Sequence, residues 1–215
     1  MASSRDTILR NAQARVAHLR GQASPSQEER RAVLSALTSG LPSDRTAHFV
    51  ERARASDAAV SRLSSVSEVP AALADLISGA AEPTVCVPDA GALRDLPWAE
   101  AGVRTARAPS SRHDDASAIE AAAGVAESGS LVISAASHDT PQAMLLSGQT
   151  VVVLFESAIA TTFEDALRAV RSRGLRSRVV FLTGPSRTGD IASRLVIPAQ
   201  GPRRIHILVV EEDGS

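Results

Sequence analysis

The spacing of apolar positions changes along this chain. Between Asp6 and Arg20, Ile8, Leu9, Ala12, Val16 and Leu19 return at intervals of one, three and four, the stripe of an amphipathic helix. Gly21-Gln-Ala-Ser-Pro-Ser26 breaks the stripe, and Ser26 is placed to cap a second helix over Gln27 to Leu37. Beyond Ser39-Gly-Leu-Pro-Ser43, the positions of Phe49, Ala53 and Val60 predict a third helix from Thr46 through Leu63. These breaks put a boundary near residue 45, with residues 1–45 a helical extension and 46–215 the main domain. A stripe records that a face is buried and leaves open what buries it, the same core or another subunit.

From residue 70 short apolar runs alternate with helical patterns. A helix over Pro70 to Ile77 precedes a strand at Val85 to Val87, and a loop through Trp98 precedes a weak strand at Val103 to Ala106. A helix over Asp114 to Ala126 leads to a strand at Ser130 to Ser134. The loop holding His138-Asp-Thr-Pro141 leads to another at Thr150 to Phe155. Thr161-Thr-Phe-Glu164 has capping-box spacing, Arg171, Arg173 and Gly174 form a helix stop, and strands follow at Arg178 to Leu182 and Ile205 to Val210. Such alternation predicts an α/β fold, a mainly parallel sheet with helices on both faces. Ligand crevices in these folds open at the carboxyl ends of the strands.

Composition removes several chemistries. All 23 basic residues are Arg, so no Lys is present for a Schiff base or a P-loop. The single Cys86 cannot ligate an iron-sulfur cluster, and five scattered histidines have no metal-ligand spacing. No cofactor is expected in this chain, and no Gly-x-Gly-x-x-Gly dinucleotide motif occurs. A net charge of −1 gives no electrostatic case for nucleic acid. The basic cluster Arg168, Arg171, Arg173, Arg176 and Arg178 reads as a solvated helix end. With no signal-like or membrane-spanning apolar run, a cytoplasmic location is expected.

Two segments carry candidate chemistry. In Leu182-Thr-Gly-Pro-Ser-Arg-Thr-Gly-Asp190, Gly184 opens a turn, Pro185 stiffens it, and Ser186 and Thr188 are potential caps of a following helix. Amides at such a turn attract an anion, whether phosphate, carboxylate or the chain's own Asp190, and Arg187 could grip a carboxylate or phosphate through two parallel bonds. The same residues also make an ordinary turn. The second segment is Glu127-Ser-Gly-Ser130, where Glu127 could serve as general base or acyl-transfer nucleophile, and where Gly129 and the hydroxyls could equally serve the turn alone.

Gly184-Pro-Ser-Arg-Thr-Gly-Asp-Ile191, then Gly201-Pro202 and a final apolar strand, resembles the end of the lactate utilisation protein C family, which carries the LUD domain. Gly124-Val-Ala-Glu-Ser-Gly-Ser130, Leu145-Leu146 with Val151-Val-Val-Leu154, and Phe163-Glu-Asp-Ala-Leu167 also fall in the family's order. The similarity covers roughly residues 120 to 212, and Gln200 stands where the family usually has His. The resemblance implies a fold similar to ribose-5-phosphate isomerase, glucosamine-phosphate deaminase and CoA transferases. It implies a subunit or accessory of an iron-sulfur system that oxidises L-lactate to pyruvate, with the clusters in partner proteins. The expected substrate-binding set is Ser130, Gly184, Ser186, Arg187 and Thr188, with Glu127 the catalytic candidate. Two other readings stand beside it: a stand-alone isomerase or CoA-transferase-like enzyme acting on a phosphorylated or acyl substrate, and an assembly module.

Overall fold

The computed structural model describes residues 43–79, 84–89, 91–107, 116–135, 146–174, 178–185 and 202–211, with Ser26, Glu28, Ala143 and Met144. The helix expected over 6–20, that over 27–37 apart from helical Glu28, the 138–141 loop and residues 186–200 lie outside the described residues. The chain divides into two compact units, Met1–Gly40 and Leu41–Ser215, and the elements below belong to the second.

Helix α1 (Arg45–Ala55) starts where Asp44 accepts a hydrogen bond from Ala47 N at 2.9 Å, satisfying one of the amides a helix start leaves bare. Its buried side is Thr46, Phe49 and Ala53. The helix expected to run to Leu63 stops at Ala55. Asp57 takes φ +62°, and Ala58 N returns to Ala53 O at 3.1 Å, the left-handed closure that usually calls for Gly. The chain then enters strand β1 (Ala59–Leu63), so Val60 is a buried strand residue.

Six parallel strands form the first sheet, in the order β1, β10 (Arg204–Val210), β7 (Gln149–Phe155), β4 (Ala116–Glu120), β2 (Thr84–Cys86) and β3 (Arg104–Ala106). Its central strands are buried on both sides, which fits the unbroken runs Val151-Val-Val-Leu154 and Ile207-Leu-Val-Val210. On one face lies α2 (Val69–Ile77), whose Val69, Leu73 and Ile77 pack with Leu93, Trp98, Val151 and Val153. Trp98 is 5% exposed, and its indole N–H reaches Leu93 O at 2.9 Å, so its polar end is satisfied. On the other face α1 contributes Phe49 and Ala53 to a core with Ile119, Val152, Leu154, Ile207 and Val209.

A second, four-stranded sheet, not foreseen in the sequence, has the order β8 (Ile159–Ala160), β5 (Ala123–Val125), β6 (Ser130–Ala135) and β9 (Arg178–Leu182). It is mixed: β5 and β8 are parallel, whereas β6 runs antiparallel to both β5 and β9. Leu131, Ile133 and Leu182 close the α1 core from this side. The reverse face is covered by α3 (Phe163–Ser172) through Ala166 and Val170. Thr162 caps α3 by accepting from Asp165 N, so the capping pair is Thr162 and Asp165, one residue beyond the Thr161 and Glu164 spacing.

The helix expected over Asp114 to Ala126 is instead β4 and β5, joined at Ala121 and Ala122. Ala121 N bonds Val153 O in the first sheet, and Ala122 N bonds Val132 O in the second, so this stretch passes directly from one sheet into the other. Its alanines suit a helix by propensity, but packing between layers decides. A β-carbon at Gly124 would meet Leu154 at 2.8 Å and Phe49 at 3.1 Å.

His206 in β10 is partly buried beside Ser61 of β1, with Nε2 and Oγ 2.9 Å apart. Desolvation by burial lowers its pKa below the usual 6.5. The unfolded chain then binds the proton more readily, so this group's contribution is intact above pH 6.5 and is lost as pH falls from there toward the folded pKa. Denaturant melts of the wild type and His206→Asn between about pH 7.5 and about pH 5 are expected to show a shallower acid loss in the variant. Parallel curves would assign the loss to other groups.

Candidate functional site

The hairpin joining β5 to β6 carries the Glu127–Ser130 segment. Val125 pairs with Ser130, and Gly129 N closes the turn on Val125 O at 2.9 Å. Glu127 sits at the tip of this hairpin and not at a helix end. Its backbone N–H extends the β5–β8 ladder to Thr161 O at 3.2 Å, and its Oε1 accepts from Phe163 N at 2.9 Å. Phe163 N is an amide at the start of α3 without an intrahelical partner. The carboxylate therefore occupies the positive end of the α3 dipole, the position an external anion would otherwise take. Phe163 also stacks at a tilt on Phe181 of β9, with ring centroids 5.2 Å apart.

Ser128, Ser130 and Thr183 form a chain of hydroxyls. Ser128 Oγ donates to Ser130 Oγ at 2.8 Å, and Ser130 Oγ lies 2.6 Å from Thr183 Oγ1. Ser130 is 1% exposed, so its hydroxyl is reserved for this chain. Through it the 127–130 turn touches the start of the other candidate segment, Thr183-Gly184. Thr183 was not singled out in the sequence. Only the strand pairing of β6 with β9, which sets Leu131 opposite Leu182, brings it to Ser130.

Both turns press on the carboxyl end of α1. Gly129 has φ +70°, and a β-carbon there would lie 2.3 Å from Ala53 N; Gly184 has φ +72°, and a β-carbon there would lie 2.0 Å from Ser56 O. The described part of Gly184's turn thus faces a helix's carbonyl end, which disfavours negative charge. β9 belongs to the second sheet, so Gly184 follows the carboxyl end of an antiparallel strand and not the edge of the parallel sheet. Glu127, Ser130 and Gly184 are placed by the structure; Ser186, Arg187, Thr188 and Gln200 lie outside the described residues.

At the parallel sheet's own carboxyl edge, Glu120 ends β4 and accepts from Ala92 N at 3.0 Å. The neighbouring strands β2 and β4 send their chains in opposite directions there, the topology that opens a crevice. Reading 114–126 as helix concealed this carboxylate. No group of His, Cys, Asp and Glu suited to a metal ion occurs among the described residues. No described helix is long and apolar enough to cross a membrane.

A family model for the LUD domain matches residues 46–210. The chain belongs to the LUD domain family. The match takes in both sheets and both candidate turns and starts at the second residue of α1. Among solved structures, a DUF162 family protein from Deinococcus radiodurans superposes with a TM-score of 0.56 at 22% identity, covering 79% of this chain and 99% of that one. This likeness supports the LUD-domain fold. Among curated proteins, none matches the chain.

Gly129→Ala and Gly184→Ala are each expected to lower stability by about 2 kcal/mol or more, combining a left-handed backbone with forced contact. An unchanged denaturant midpoint would show that α1 does not hold the turns. Glu127→Ala is expected to cost about 1 kcal/mol, the scale of a lost helix cap. Glu127→Gln retains an oxygen for Phe163 N and is expected to stay close to wild type in melts. Loss of activity in Glu127→Gln at unchanged melting temperature would instead mark a chemical role.

Proposed function

We propose that this LUD-domain chain is a lactate utilisation protein C-like subunit or accessory of an iron-sulfur system oxidising L-lactate to pyruvate. In this reading it binds a small carboxylate or phosphate metabolite, or assembles the complex. Family membership supports the lactate-utilisation context. The observation that carries the reading to particular residues is the 2.6 Å contact of Ser130 with Thr183, which joins the two segments that resemble the lactate utilisation family. Ser186, Arg187 and Thr188 continue from that junction and supply the proposed anion donors.

Oxidation of lactate to pyruvate releases two electrons and two protons. A single cysteine cannot hold a cluster to receive the electrons, so this reading assigns them to Cys-rich partner proteins. A location in the cytoplasm belongs to the same proposal. An independent CoA-transferase-like or isomerase reading would require the Glu127 carboxylate as base or nucleophile. Its engagement with Phe163 N favours the subunit reading.

The test is co-expression with adjacent genes for Cys-rich iron-sulfur proteins, followed by purification through this chain, iron analysis and lactate-dependent dye reduction. The chain alone is expected to carry no stoichiometric iron or flavin and to reduce no dye. The co-purified assembly is expected to contain iron and to be active, and Arg187→Ala to weaken it without lowering the melting temperature. An assembly equally active without this chain would overturn the reading.

A further inference from the structure

A groove of about 250 Å³ runs between α3 and the outer edge of β8. Its wall on α3 is Asp165, Ala169 and Arg173, spaced four apart and so on one side of the helix, over a length of about 12 Å. The β8 edge lines it from Ser157 to Thr161, with the Ile159 side chain turned into the α1 core, and Arg45 of α1 also borders it. None of the residues of the 127–130 and 183–184 turns lines it.

The charges in this groove are unevenly matched. Asp165 is paired with Arg168 and receives the Thr162 hydroxyl, so its charge is already compensated. Arg173 donates from Nη1 to Ala122 O at 3.3 Å, which leaves its positive charge without a carboxylate. Arg45 has no ion pair among the described residues. It stands at the first position of α1, directly after Asp44, whose carboxylate is committed to the Ala47 amide. Two guanidinium groups thus border one small cleft. Guanidinium forks match carboxylate and phosphate oxygens. The volume lies below the roughly 300 Å³ at which pockets for drug-sized ligands begin, a size that suits a small metabolite.

We propose that this groove binds a small organic anion, its carboxylate or phosphate held between Arg45 and Arg173. The described residues of the 183–185 turn do not line it, and the proposal does not depend on the lactate-system reading.

The test uses the purified full chain at low ionic strength, with thermal protection and calorimetric titration by acetate, L-lactate and inorganic phosphate in separate arms. The carboxylate and phosphate arms identify the headgroup. Binding is expected in at least one arm, weakened about tenfold or more in R45A and in R173A, and unchanged in R171A, whose exposed guanidinium lies outside the groove. Ala169→Glu, which adds a carboxylate to the groove wall and leaves both arginines in place, is expected to abolish binding at a near-native melting temperature. The site is refuted if no probe binds the wild type, or if Ala169→Glu and the arginine variants bind as well as it does. Retained binding here in an Arg187→Ala variant, against lost binding in R173A, separates this site from the turn.

Discussion

The carboxyl end of α1 is the contact on which the rest of the domain depends. Its last turn lies against the backbone of two turns from different hairpin ends, leaving no room for a β-carbon at Gly129 or Gly184. The same helix inserts Phe49 and Ala53 between the two sheets. The left-handed Asp57 then redirects the chain into β1 at the sheet's edge. One helix therefore sets the spacing between sheets, the position of both candidate segments and the entry to the first strand. Close-packed interiors transmit such constraints because they have little void to absorb a displacement.

The strands of the parallel sheet were legible where burial on both faces makes the sequence uniformly apolar, as in Val151-Val-Val-Leu154 and Ile207-Leu-Val-Val210. Helix α2 was legible near its Pro70 start, and α3 from its capping segment, one residue from the true cap, and from the stop at Arg173-Gly174. Two errors have one cause. Small or helix-favouring residues were read locally, whereas their conformation is fixed by neighbours distant in sequence. Ala116, Ala118, Ala121, Ala123 and Ala126 are all at most 3% exposed, in β4, β5 and the joints beside them, between crowded layers. Asp57 ends α1 in a backbone shape for which the sequence offers no Gly as a signal.

For the candidate site, the sequence pointed to the right turns but could not assign their bonds. Ser128 and Ser130 stood out as hydroxyls beside Glu127, but their continuation to Thr183 requires the β6–β9 register. Glu127 stood out as a carboxylate, yet its partner is an amide 36 residues away whose exposure to it depends on where α3 begins. Charge and position were visible; commitment to a structural bond was not. The LUD family assignment complements this geometry, since it bears on the context in which the turns work and is silent on what each side chain holds.

Two stretches, Ala116–Val125 and Gln149–Ala160, run through both sheets as continuous struts. They are tied side by side where Ala121 N meets Val153 O. Sliding one sheet along the other would tear this ladder. The mechanics of the domain are therefore those of a folded plate with a shared crease, in which displacement along the β8 edge is carried through residues 156–158 into the carboxyl end of β7.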